Sequence, residues 1–343
     1  MPTRVPKSIA VASLGALLLG LVVACTTPSD TEGSGQGDDS ARAPARSVDE
    51  LNVGFFMTTT ANPYASTFAN SVKSEAKAAG VKLTEIDSGL DVQTQNNQMQ
   101  QAVSRKTYNA WIVVAANGEQ QCNQIKSAIK SGIEVMVTNG QVCNGEDVGQ
   151  VGYTGWQVPD NESMWFKEIL GQNSDAKIAL LAGPSTIGVV QSMKTSMESA
   201  LEEHPQAELV SYMNTDWSIP DGLAKTRELL RTNPDTEVIV SSYSNVTRGV
   251  VQALKESGRL GDIKIYDWAG DSWGVDQIRE GVITMTLPGL PVSEAVWSVR
   301  NLVAFWTGKE YEKFDSLFGH SPVPNGPFIT RDNAAEYTAE YTT

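Results

Sequence analysis

The chain is short of the residues most enzymes work with. It has two histidines, His204 and His320. His204 stands in Glu-Glu-His-Pro and His320 in Gly-His-Ser-Pro, settings that read as solvated surface. Neither has a partner at metal-ligand spacing. No G-x-S-x-G, P-loop or G-x-G-x-x-G occurs, so the usual marks of a hydrolase elbow or a nucleotide cradle are missing. Positive charge is scarce too: 26 Lys and Arg against 40 Asp and Glu leave a net charge of −14. That balance disfavours nucleic acid or an anionic membrane surface as a partner and serves solubility. These absences argue against an enzyme and imply no metal or cofactor.

Hydrophobic residues at 41% and charged residues at 19% are ordinary for a globular protein. The first 50 of 343 residues read as targeting sequence and tether, leaving about 293, natural for two domains. Arg4 and Lys7 make a positive start, and the mainly apolar run Ile9–Ala24 is short for a membrane span. The run ends Leu21-Val22-Val23-Ala24-Cys25. It resembles a bacterial lipoprotein signal, which implies cleavage before Cys25 and a lipid on its thiol. Val22 stands where Leu is more usual. The alternative is an uncleaved N-terminal anchor; in both cases the rest of the chain lies outside the cytoplasmic membrane. Thr26–Val48 is rich in Gly, Ser, Asp, Pro and Ala and reads as a flexible tether.

Cys122 and Cys143 remain. In an oxidising exterior they read as a disulfide, with two separate buried thiols as the alternative.

The most informative stretch is Leu51–Gly80. Leu51–Met57 is an apolar run suited to a strand buried on both faces. Asn62 can cap a helix and Pro63 suits its first turn. Phe68, Val72, Ala76 and Ala79 then mark one helical face, and Gly80 can end it. The alternation repeats. Strands are expected at Val81–Ile86, Ala110–Ala115, Ile133–Thr138 and Val148–Tyr153, then at Lys177–Leu181, Glu208–Met213, Glu237–Val240, Asp262–Asp267 and Val282–Leu287, with helices between. A final helix, Leu290–Trp306, carries Val292, Val296, Val299, Val303 and Trp306. This pattern predicts parallel, doubly wound sheets.

In such sheets ligands bind beyond the carboxyl ends of the strands. Small polar and aromatic residues recur there: Thr58, Asn62 and Tyr64; Asn117 and Glu119; Asn139; Trp217; Tyr243 and Asn245; Trp268 and Asp271. Trp156 opens the second half. Aromatic planes suit the C–H faces of a sugar or polyol, and amides and hydroxyls suit its hydroxyl belt. The Trp217 and Trp268 rings are expected to face the cleft, so that removing either weakens binding without unfolding the chain.

Strand, T-x-x-x-N-P-Y, helix resembles the opening of the type I periplasmic sugar-binding proteins, the ribose-binding group. The resemblance continues to about Phe328. It implies an α/β fold of two doubly wound parallel-sheet lobes joined by a three-segment hinge near Tyr153–Gly155, Pro288–Pro291 and Val323–Pro327. The lobes would be 49–154 with 290–325 and 155–289 with 326–343. Thr58, Asn62 and Tyr64 match the family's first contact cluster, and Trp217 and Trp268 match stacking positions. Tyr243 falls where the ribose group has Asn. The family's charged contacts are missing. Its Asp-Arg pair is Asn139-Gly140 here, the Asp after its last aromatic is Ala269, and a Gln is Gly289. The Arg of the Ser185–Met193 stretch is also missing, with Gln191 and Met193 nearby.

Without charge-assisted clamps, the site is expected to prefer a polyol, a modified sugar or a solute with a larger apolar face. The expected role is delivery of a small neutral solute to an ABC permease by a lipid-anchored monomer. The alternatives are a sensory binding protein and a secreted hydrolase. A transcription regulator is disfavoured by the export signal.

Overall fold

The computed structural model describes residues 45–315, 317–318 and 323–342. The segment read as a signal peptide, most of the expected tether, Cys25 and His320 lie outside the described residues.

The chain opens with β1 (Asn52–Met57), α1 (Pro63–Ala78), β2 (Lys82–Asp87), α2 (Val92–Arg105), β3 (Ala110–Val114), α3 (Cys122–Lys130), β4 (Glu134–Gly140) and β5 (Gly152–Gln157). A second series follows: α4 (Pro159–Gln172), β6 (Lys177–Ala182), α5 (Gly188–Glu203), β7 (Glu208–Asn214), α6 (Ile219–Thr232), β8 (Val238–Ser241), α7 (Ser244–Glu256), β9 (Lys264–Gly270), α8 (Ser272–Arg279) and β10 (Met285–Pro288). Then come α9 (Pro291–Trp306) and the short β11 (Phe314–Asp315). Two parallel sheets result, in the orders β11-β5-β4-β3-β1-β2 and β10-β9-β8-β6-β7. Each reverses direction of winding beside its first strand, between β1 and β3 and between β6 and β8. Those reversals open a crevice at the carboxyl ends.

Local sequence accounts for most of this. β1 and β3 lie inside the first sheet and are buried almost throughout, whereas the edge strand β2, Lys-Leu-Thr-Glu-Ile-Asp, alternates with solvent. Asn62 accepts from the Ala65 amide at 2.8 Å and starts α1, whose Phe68, Val72 and Ala76 are buried. Asp91 does the same for α2 through Thr94 at 2.5 Å.

Three expectations need correction. The strand placed at Val148–Tyr153 lies at Gly152–Gln157. Asp147 and Gln150 side chains hold the amides of Gly149 and Val148 at 3.0 and 2.8 Å, and Gly149 has φ of 93°, so this stretch is a turn. Tyr153–Gly155 is therefore interior to β5, and the chain leaves the first sheet at Gln157–Val158. On α9 the buried face is Glu294, Ala295, Ser298, Asn301 and Leu302 with Val299 and Trp306; Val292, Val296 and Val303 are only half-buried. Finally, the tether ends before Val48. The Arg46 guanidinium lies 3.5 Å over the Trp306 ring and pairs with Glu134 at 2.7 Å.

The polar face of α9 is satisfied inside the first lobe. Ser298 donates to Thr138 at 2.8 Å and Asn301 to Thr154 at 3.2 Å.

Cys122, opening α3, and Cys143, just after β4, are joined as a disulfide with Cα atoms 4.8 Å apart, closing a separation of 21 residues. Loop closure of that size contributes about 3 kcal/mol. Reduction is expected to lower the urea midpoint accordingly, and identical melts with and without reductant would show that no bridge had formed. Among the described residues no helix is long and apolar enough to cross a membrane.

Candidate functional site

A cavity of about 470 Å³ lies between the carboxyl ends of the two sheets. The first lobe contributes Thr58, Asn62, Tyr64, Asn117 and Asn139 to its wall; the second contributes Gln191, Trp217, Tyr243 and Trp268. Glu119 lines it from an exposed position. The remaining three candidates are elsewhere. Trp156 lies inside β5, fully buried, and is a spacer between the Tyr64 and Trp268 rings. Its expected place among the ligand-binding residues followed from ending the strand too early. Asp271 caps α8 through Gly274 at 2.9 Å and pairs with Arg248 at 2.7 Å, so it is committed to structure. Asn245 is half-buried on the first turn of α7 and does not line the cavity.

Backbone strain gathers on this wall. Leu90, Asn139, Asn144, Trp217 and Ala269, all lining residues, have φ between 56° and 71°. A bulky residue such as tryptophan rarely adopts that conformation, and it persists only where surroundings hold it. Trp217 is held on two sides. Its indole N–H donates to Ser242 at 3.1 Å, and its ring lies so close to Gly183 that a Cβ there would come within 2.1 Å. The turn thus presents the ring to the cavity at one fixed angle.

Beneath the cavity the polar ends of Tyr64 and Asn139 are already engaged. The Tyr64 hydroxyl donates to Glu294 Oε2 at 2.6 Å and accepts from Trp156 Nε1 at 2.8 Å. Asn139 Nδ2 donates to the same carboxyl at 3.2 and 3.3 Å. Tyr64 therefore offers the cavity ring rather than hydroxyl. Glu294 has no solvent exposure; burial pushes its carboxyl up to about 8, against the pull of the Tyr64 and Asn139 bonds.

At the lip the two lobes touch. Gly188 N–H donates to Ala116 O at 2.9 Å, and Asn117 Nδ2 donates to Gln191 Oε1 at 3.1 Å and to Thr186 O at 3.3 Å. The approach is close: a Cβ on Gly188 would sit 3.3 Å from the Asn117 Cα, so the lip would have to give by a few tenths of an ångström.

Sequence reasoning missed Gln157, Ser242 and Glu162 on the wall and Glu294 behind it. Gln157 was lost with the strand placement. Glu162 had a readable signal. With Trp165, Phe166 and Ile169 it forms an i, i+3, i+4, i+7 set, which puts a carboxyl on the buried face of α4. It is fully buried, and burial pushes it up to about 7, opposed by hydrogen bonds from Ser192 and Ser196.

Comparison with known proteins places these features in context. The model of a family described as periplasmic binding protein domain matches residues 53–310. A D-apiose import binding protein of Actinobacillus succinogenes is 23% identical over 221 residues, 64% of this chain and 70% of that protein. A xylitol-binding protein of Mycolicibacterium smegmatis is 23% identical over 275 residues, 79% and 72% of the two. A Bacillus halodurans ABC transporter solute-binding protein, solved with bound myo-inositol, has a TM-score of 0.73 at 18% identity, over 86% of this chain and 99% of that one. At that identity the likeness is one of fold: two lobes of parallel sheet with flanking helices.

Proposed function

The chain belongs to the periplasmic binding protein domain family, and on that premise we propose that it captures a small neutral sugar or polyol between its lobes for delivery to an ABC permease. One observation carries the reading: a cavity at the carboxyl ends of both sheets, walled by fixed aromatic rings and neutral amides, with no lysine, arginine or histidine among its lining residues. Trp217 stacks on a C–H face of the solute, while the Asn62 amide N–H and the Thr58 hydroxyl address its hydroxyls. Bending where the chain passes between the sheets opens and closes the cleft. The contacts of Asn117 with Thr186 and Gln191 belong to the closed form. The solute is released unchanged. Names of related proteins that bind apiose, xylitol and myo-inositol support a polyhydroxylated ligand. The signal-like N-terminus supports an extracytoplasmic protein held to the membrane by a lipid on Cys25.

Thermal unfolding of the full-length chain in mild detergent tests this, against sugars, polyols, amino acids and nucleosides. A ligand at about 100 times its Kd adds about 2.7 kcal/mol, a shift of several degrees. At least one neutral sugar or polyol is expected to produce it. Shifts confined to amino acids or nucleosides, or no shift at all, overturn the proposal.

A further inference from the structure

The cavity wall holds two buried side-chain polar atoms with no hydrogen-bond partner among the described residues, the Tyr243 hydroxyl and Glu162 Oε1; the carboxyl oxygen is the costlier of the two to leave unmet. Glu162 sits in the first turn of α4 with no solvent exposure. Its Oε2 accepts from Ser192 at 2.5 Å and from Ser196 at 3.2 Å, both on α5 and both lining the cavity. Its Oε1 has no hydrogen-bond partner among the described residues. A buried carboxyl oxygen left unmet is costly, and such atoms are almost always satisfied. The two serines fix the orientation of the carboxyl, so the unmet oxygen is held in place. Glu119 is the one other charged lining residue, and it is exposed. An acidic ligand entering this cavity thus meets a buried carboxyl and no cation.

We propose that Glu162 determines specificity: its Oε1 accepts a hydrogen bond from a ligand hydroxyl, and its carboxyl bars the acid counterpart of any neutral polyol or sugar that the cavity takes. The inference rests on the cavity being the ligand site. It goes further by assigning the discrimination between neutral and acidic solutes to one side chain that lies outside the strand-end clusters.

The test uses the full-length chain in mild detergent with paired probes: D-ribose and D-ribonate, xylitol and D-xylonate, D-glucose and D-glucuronate. Affinities are read by titration calorimetry at pH 8.5, above the value of about 7 to which burial pushes Glu162, so that the carboxyl is ionised, for wild type, Glu162→Gln and Glu162→Met. Glu162→Met keeps the bulk but offers no acceptor, and it is expected to lose about tenfold or more in affinity for the neutral member. The serines it strands can turn to carbonyls of their own helix. Glu162→Gln keeps the shape without the charge and is expected to narrow the neutral-to-acid ratio about tenfold or more, a change that a merely structural role would not produce. Should the Met variant fail to fold, the ratio in the Gln variant still decides. A neutral probe bound equally by wild type and both variants, with an unchanged ratio, overturns this inference alone. Wild type that binds an acid as tightly as its neutral partner also overturns it. If no neutral probe binds wild type, the proposed function falls and this inference with it.

Discussion

Trp268→Ala is expected to cost about 3–5 kcal/mol of stability, the range for emptying the space of a buried large aromatic. The ring is 2% exposed. It stacks 5.2 Å from Trp156 at an interplanar angle of 31° and meets Trp165 edge-on at 6.3 Å. Through Trp156 the stack reaches Tyr64, and through Trp165 it reaches Phe328, so one substitution loosens packing in both lobes. Trp217→Ala is the contrast. That ring is half-buried and rests mainly on Gly183 and the Ser242 hydroxyl, so it should cost little stability while lowering ligand affinity at least about tenfold, or about 1.4 kcal/mol. Urea melts of both variants, with titration of the ligand found by thermal shift, separate the two roles. A Trp268→Ala protein as stable as wild type would show that the stack carries no core energy. The sequence reading treated the two rings alike; the structure divides them.

Stability is expected to fall as pH rises from about 5 to about 8. Three fully buried carboxyls have this sign. Burial pushes Glu294 up to about 8 and Glu162 and Asp267 up to about 7. Unfolded, such groups titrate near ordinary carboxylate values, about 4. Between those values the folded protein holds protons that the unfolded chain has released, so each step up in pH favours unfolding. The three act in the same direction over that window, so their effects on stability add. Opposing groups act in a different range. Asp91, Asp147 and Asp216 are held low by hydrogen bonds from Thr94, Lys313 and Ser218, so their contribution is complete above the ordinary carboxylate range and lost only in more acid solution. The urea midpoint should therefore be higher near pH 5.5 than near pH 8. Glu294→Gln, which mimics the protonated form, should flatten the slope. A midpoint that rises with pH, or a variant with the wild-type slope, would rule the account out.

Glu294 also marks what a linear reading cannot see. Within α9 it stands between Val292 and Val296 and looks solvated, yet it meets Tyr64 and Asn139, residues 230 and 155 positions away in the chain. Nothing local specifies that meeting. It follows from α9 returning to the first lobe and packing on α1. Glu162 is intermediate: its place on the buried face of α4 is periodic and legible, but only the approach of α5 reveals that one oxygen is satisfied and the other is not.

The alternation of strand and helix, the caps at Asn62 and Asp91, and the clustering of aromatics and amides at strand ends were all determined by the sequence itself. They depend on short-range periodicity and on backbone groups within a turn of one another. Tertiary structure alone decided which of those aromatics face the cavity. Trp156, Trp217 and Trp268 are equivalent as residues near strand ends. Strand register set by the turn at Val148–Gly149 buried the first, a left-handed backbone and Gly183 turned the second to the cavity, and packing against two other tryptophans made the third both wall and core. Side-chain direction at a strand end depends on register and on partners from distant elements, and neither is written in the residues beside it.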